Sequence, residues 1–286
     1  MDTVEINLPG GIAIGEQWHR RAALRGITGR EEEFLLHEGR ALAPAMRVTE
    51  LITRCLQRLG PVSPVRAELV RALSIGDREA LLLHLRRMTL GDRIACVLTC
   101  PSCSKNMDLE LEVRELLLPA YRNAKAMHEV VISDGEQSYR VVFRVPNGED
   151  QEAAVAEAAS SVSEAAEMLL KRCIHCVRSS EGSAVAEVPM VVMRELPAKM
   201  AELDPQGEVL LDLTCPECAT GFVVPFDAAD YVCREMASQE SDFYRGVHVL
   251  SYHYHWSEEA ILNLSRRKRL IYLDLLANEM EARRNA

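Results

Sequence analysis

The amino-acid sequence predicts an α+β protein, with helical N- and C-terminal parts flanking a small β region of zinc-ribbon-like knuckle hairpins. Three observations predict it. Apolar residues recur at helical spacing between Thr28 and about residue 93. Alternating apolar and polar residues then enter and leave two Cys-Pro-x-Cys knuckles. From Asp227 the helical spacing returns. The predicted division is 1–93 helical, 94–226 β with a helical insert at about 149–203, and 227–286 helical.

Taken in order, residues 1–27 read as extended and irregular. Thr28-Gly-Arg-Glu31 reads as a capping box that starts a helix running through His37. Val48, Leu51, Ile52, Cys55 and Leu59 mark a second helix over 47–59, ended by Gly60-Pro61. A third begins near Asp77 as N-cap, carries Ala80, Leu81, His84, Leu85 and Met88, and stops at Gly91-Asp92. Ile94–Thr99 is β-like. Met107, Leu109, Leu111 and Val113 alternate with acidic residues, the pattern of a half-buried strand. Residues 129–132 and 139–145 flank Asp134-Gly135, a hairpin signal with a loop longer than two residues.

Residues 150–176 are rich in Ala and Glu and read as two helices split near 160–163. Pro189–Leu203 reads as another. Strands at 209–214 and 221–226 bracket the second knuckle. Asp227 caps a helix to about 238, another reaches about His253, and Ser257 caps one that continues to about Arg284.

Aromatics are only 5% of the 286 residues, so the core must be aliphatic. The net charge of −10 argues against an extended basic face for nucleic acid. The run Arg266-Arg267-Lys268-Arg269 lies in a helical pattern, where a solvated face is the commoner reading. The start, MDTVEINLPGG, lacks a secretory pattern, and apolar runs such as 188–193 fall far short of the ~18 residues of a membrane helix. The expectation is a soluble cytoplasmic chain. Nine cysteines, some in Cys-x-x-Cys pairs, then point to metal rather than disulfides.

Cys100-Pro-Ser-Cys103 and Cys215-Pro-Glu-Cys218 each follow an apolar stretch ending in Thr. One knuckle supplies two thiolates, and a tetrahedral zinc needs four ligands. The two knuckles together complete a closed structural site with no open position for water or substrate. Cys173-Ile-His-Cys176 lies near a predicted helix end, where Cys173 and Cys176 share a face. It reads first as two inward-facing core residues, and second as a further metal site, or an alternative pair for the first one, with His175 as a spare ligand. His248, His253 and His255 with their neighbouring aromatics read as a packed junction. Gly10-Gly11 lacks the context of a phosphate loop.

Several segments together resemble one family. LPGG, LRGITGREEEFL, IGDREALLLHLRRMTLGDRI, RVPNGEDQEAA, LDPQGEVLLDLTCPEC and VHVLSYHYHWSEEAILNLSRRKRLIYLDLL are similar to the T4-type phage baseplate hub family, whose relatives occur in phage-tail-like contractile injection systems. The chain departs from that pattern at Asn147, where Thr is usual, and at Ala219-Thr220, where Gly is usual. The resemblance implies a baseplate component or tail-assembly factor rather than an enzyme. Its partners would be other baseplate or tail proteins, with both oligomerisation and permanent incorporation into an assembled tail-like particle left open.

On the C-terminal segment, Trp256, Ile261, Leu264, Arg267 and Tyr272 are the candidate protein-binding residues. Two other readings are weighed. A zinc-ribbon adaptor for nucleic acid or transcription machinery needs Lys and Arg beside the knuckles, yet Asp108, Glu110, Glu112, Glu217 and Asp227 surround a lone Lys105. A metalloenzyme would use Cys173, His175 and Cys176 around an open coordination position.

Overall fold

The computed structural model describes residues 3–135, 137–158, 161–237 and 240–285. Helix makes up 49% and strand 28% of it, a mixed α and β architecture.

The chain opens with two long antiparallel strands, β1 (Thr3–Ile14) and β2 (Gln17–Arg25). The sequence reading missed them because Pro9-Gly10-Gly11 interrupts the alternation. The pairing accommodates that interruption with a register shift between Asn7 and Ile12. Next come α1 (Gly29–Leu36), the short α2 (Glu38–Ala41) and α3 (Pro44–Cys55). Thr28 and Glu31 form the expected capping box. The helix expected to reach Leu59 ends at Cys55 instead. Leu56–Leu59 becomes β3, which pairs with β2 and buries Leu56 and Leu59.

After α4 (Ala67–Ala72), α5 spans Ile75–Leu90. Its cap is Ser74, whose hydroxyl accepts from the Asp77 N–H. Asp77 was the expected cap, but it lies inside the first turn and has another task.

The middle of the chain supplies β4 (Arg93–Thr99), β5 (Asn106–Glu112), the short α6 (Val113–Leu116), β6 (His128–Asp134), β7 (Gln137–Phe143), α7 (Gly148–Ala158), α8 (Val162–Cys173), β8 (Ile174–Ser179) and α9 (Met190–Leu203). β6, β7 and β8 form an antiparallel sheet. Pairing of β6 with β7 continues to Asp134↔Gln137, so the turn is tighter than the sequence suggested. The last strands are β9 (Val209–Thr214) and β10 (Gly221–Phe226). Helices α10 (Ala228–Ala237), α11 (Glu240–Tyr254), α12 (Glu258–Leu262) and α13 (Arg266–Arg284) close the fold. The single helix expected after Ser257 is two, because Ser265 caps a new one by accepting from the Lys268 N–H. No described helix is long and apolar enough to cross a membrane.

The main core joins Leu8, Leu24, Ile52, Leu81 and Leu85 with Val113 and, from α10, Ala228 and Met236. A second core lies between the β6–β8 sheet and α8 and α9, around Val141, Phe143, Val192 and Leu196. A third joins Leu36 of α1 to Phe243, Leu250, Ile261 and Leu262.

The first turn of α5 ties these parts together, each residue holding a different segment. The Gly76 N–H donates to Asp204 Oδ2 at 2.9 Å. A Cβ at Gly76 would stand 2.1 Å from the same carboxylate, so only glycine admits this approach. The Asp77 carboxylate accepts from the Gly10 and Gly11 N–H groups at 2.8 and 2.7 Å. Burial pushes this carboxyl up to about 7, against those two bonds. The Arg78 guanidinium, 1% exposed, donates to Thr49 Oγ1, Ala45 O and Val70 O. Gly148, at the start of α7, packs so closely on it that a Cβ there would lie 2.4 Å from Nη1. Glu79 accepts from the Ala228 N–H at the start of α10. Burial pushes its carboxyl up to about 7 as well.

At the other end of the fold, Glu32 and Arg269 form a buried ion pair between α1 and α13. The Gly29 N–H donates to Leu264 O at 3.2 Å beside it.

Two predictions follow from these contacts. Asp77→Ala leaves two backbone donors without an acceptor and should lower stability by about 2–4 kcal/mol in urea unfolding. His84 accepts a bond from Arg87 on Nδ1 at 3.1 Å, and burial first, then Arg87, lowers its pKa to about 4. The unfolded chain therefore binds the extra proton below pH ~6.5, and stability falls as pH drops from there toward about 4. His84→Gln should flatten that part of the stability–pH curve; an unchanged slope would refute the assignment.

Candidate metal centre

The two knuckles sit at the tips of two matching hairpins. β4 and β5 pair antiparallel from Arg93↔Glu112 to Thr99↔Asn106, and β9 and β10 from Val209↔Phe226 to Thr214↔Gly221. Alternation half-buries one face of each: Cys96, Leu98, Met107 and Leu109 on the first, Leu211, Leu213, Phe222 and Val224 on the second. At their bases, Leu111, Val209, Leu211 and Phe226 pack against the main core.

Beyond the strands, the two backbones follow one course. The Cys100 N–H donates to Lys105 O at 2.9 Å and the Ser104 N–H to Cys100 O at 2.9 Å. The Cys215 N–H donates to Thr220 O at 3.0 Å and the Ala219 N–H to Cys215 O at 2.9 Å. Ser104 and Ala219 both take left-handed φ, 58° and 57°. The repeat of sequence is thus a repeat of structure, and Ala219 stands where glycine would fit without strain.

The tips meet. Cys100 Sγ lies 3.7 Å from Cys218 Sγ, and Cys103 Sγ lies 3.8 Å from Cys215 Sγ. All four sulfurs fall within 4.8 Å of one another. A disulfide needs ~2.05 Å, so these are four separate thiols. Four sulfurs at ~2.3 Å from a tetrahedral zinc lie about 3.8 Å apart along each edge, which the spacing fits. Cys100 and Cys215 are enclosed, while Cys218 is exposed at the surface. The Thr220 hydroxyl and N–H hold the Cys218 thiol down to about 6, whereas at Cys103, against a bond from the Lys105 backbone, burial and the neighbouring thiols push the thiol up to about 11. Lys105 pairs with Glu217 at 2.6 Å, linking the knuckles outside the sulfurs. Lys105 is therefore already matched with a carboxylate.

Cys173 and Cys176 differ from this group. Cys173 ends α8, but Ile174 begins β8, so Cys176 lies on a strand across from Val142 rather than on the expected helix. Cys173 is buried beside Asp150 and Arg144 at 3.7 and 3.8 Å, and burial pushes its thiol up to about 12. Among the described residues, only the four knuckle cysteines form a group of three or more ligands suited to a metal.

The candidate C-terminal residues occupy several environments. Ile261 is fully enclosed, and Leu264 is half-buried. Trp256 stacks on Tyr254 at 5.0 Å and meets the edge of Tyr272 at 4.8 Å. Arg267 is exposed. His248 and His253 both contact Tyr252. Sequence reasoning missed Asp204, which joins Gly76, Ser74 and the Tyr121 hydroxyl. Its only local signal was an acidic residue before Pro205, which looks like a helix stop.

A family model described as T4 bacteriophage base plate protein matches residues 16–232, most of the chain and both knuckles. No curated protein and no solved structure matches it.

The left-handed backbone at Ala219 makes a separate prediction. Ala219→Gly should raise stability by up to about 1 kcal/mol in denaturant unfolding, since glycine removes the Cβ clash of that conformation. The same change at Leu211, where φ is that of a strand, should destabilise instead.

Proposed function

Because the chain belongs to the T4 bacteriophage base plate protein family, we propose that it is a non-catalytic component or assembly factor of the base plate of a contractile tail or tail-like injection system. It works by binding other base plate or tail proteins. The family match carries this reading. The use of the buried charged groups supports it. Asp77, Arg78, Glu79 and Asp204 bind backbone groups of distant segments, and Asp150 binds Arg144, Arg172 and the Asn147 N–H. These are the tasks of groups that fix a shape.

In this reading one zinc ion is held by Cys100, Cys103, Cys215 and Cys218 as a structural ion. The sulfur spacing and the paired knuckle backbones support that ligand set. When bound, the ion joins two hairpins whose ligands are 112 and 118 positions apart. Metal affinity then becomes part of folding free energy. The surroundings are acidic and Lys105 is already paired, which favours a protein partner over nucleic acid.

Two measurements test the proposal. Particles purified from a producing strain should contain the chain at fixed stoichiometry if it is a subunit. If it is an assembly factor, they should lack it but fail to form when its gene is deleted. Normal particles after deletion, without the chain, would sink the reading. Separately, the purified protein should hold one zinc per chain. Cys100→Ser and Cys215→Ser should each lose it, and Cys173→Ser should retain it. A strong chelator should lower the melting temperature by at least about 5 °C.

A further inference from the structure

Two surfaces of this chain are apolar, unpartnered and opposite in charge. The first is a groove of about 990 Å³ between α8 and α9. Leu170 and Met200 are its buried floor, and Met193 lines its side. Met190 stands at its mouth, 80% exposed. Pro197 also lines it and has no N–H to donate to the Met193 carbonyl one turn back. Flexible thioethers adapt to side chains of varied shape, which suits such a lining to receiving a helix. Glu187 and Glu208 are exposed along the groove and have no ion-pair partner among the described residues. Glu167 also borders it, but Lys171 neutralises that carboxylate.

The second surface is the outer side of α13. Ile271 and Leu275 are 47% and 56% exposed, one helical turn apart. Lys268 lies three positions before Ile271, on the same face. Arg267 and Lys268 are exposed and also without ion-pair partners among the described residues, and from Arg267 to Leu275 they outnumber the single exposed acid on this face, Asp274. From Ala277 to Asn285 every residue is exposed, so the helix runs beyond the packed body.

We infer that the α8–α9 groove of one copy receives α13 of a second copy. An amphipathic helix enters an apolar groove through anchors one turn apart, here Ile271 and Leu275. Arg267 and Lys268 then meet the unpaired Glu187 and Glu208. One contact covers both surfaces and matches both charges, whereas pairing α13 with α13 would leave the groove open. The contact uses different patches on the two copies. It is therefore head-to-tail, and repeated it closes a ring or extends a filament.

The test uses the full chain in light scattering after size exclusion, over concentrations reaching about 100 μM. Wild type should rise above monomer mass, and added salt should lower that mass. Leu275→Glu disables the helix. Glu187→Lys with Glu208→Lys disables the groove without touching a buried residue. Each variant alone should weaken association at least tenfold. Mixed, they should form a dimer and stop there, because one intact groove and one intact helix remain between them. Circular dichroism matching wild type confirms that both variants fold. A wild type that stays monomeric throughout overturns the inference. So does a groove variant that still associates as wild type does, the result expected of α13-to-α13 pairing, and so does a mixture that stays monomeric.

Discussion

The fold depends on the first turn of α5. Four consecutive residues, Gly76 to Glu79, reach four separate parts of the chain: the turn at Asp204, the interruption in β1, the α3–α4–α7 junction, and the start of α10. The start of a helix suits this role. Its N–H groups have no partner within the helix, and its side chains fan out from one narrow point. A carboxylate, a guanidinium and a backbone N–H there can each meet a complementary group on a different neighbour. Burying Asp77 and Glu79 opposes their ionisation, and their hydrogen bonds to backbone N–H groups offset only part of that cost.

The cysteine cluster works on the same problem at a different radius. The α5 turn fixes the centre of the molecule through hydrogen bonds. The cysteines bring together the far ends of two hairpins whose bases already rest on the core. Between Thr99 and Thr214 the chain makes the β6–β8 sheet and helices α6 to α9, and the sheet shares a core of its own with α8 and α9. A join at the hairpin tips and another at the Gly76–Asp204 contact bracket that excursion, restraining its entry and exit.

Much of this was legible in the sequence, and the gaps have physical causes. The knuckle hairpins could be read because alternation, the Pro after the first cysteine and a repeated motif coincide within a few residues. The capping box at Thr28 was equally local. The β1–β2 hairpin was hidden because its pairing tolerates a bulge that no period-2 pattern predicts. Leu56–Leu59 looked helical because its apolar spacing continues that of α3, and only pairing with β2 turns it into a strand. The same conflict made Cys176 look like the partner of Cys173. Asp77 is the most instructive case: the residue was singled out as a cap, but its carboxylate accepts from the N–H groups of Gly10 and Gly11, 67 and 66 positions away. Local rules see a cap where the tertiary fold makes a clamp.

The pairing of Glu32 with Arg269 has a consequence for biosynthesis. The two residues are 237 positions apart, and both are enclosed. A ribosome exposes Glu32 long before it adds Arg269. During that interval the carboxylate faces an apolar surface with no guanidinium to meet it, a state that strongly disfavours closure of α1 against its neighbours. The third core, which needs Ile261 and Leu262, is missing over the same period. A chain lacking Arg266 and Arg269 lacks both guanidinium groups that pair with Glu32, so the packing of α1 would be weakened. The surface shared by α1, α12 and α13 is therefore settled only after the segment from Ile261 to Arg269 has been made.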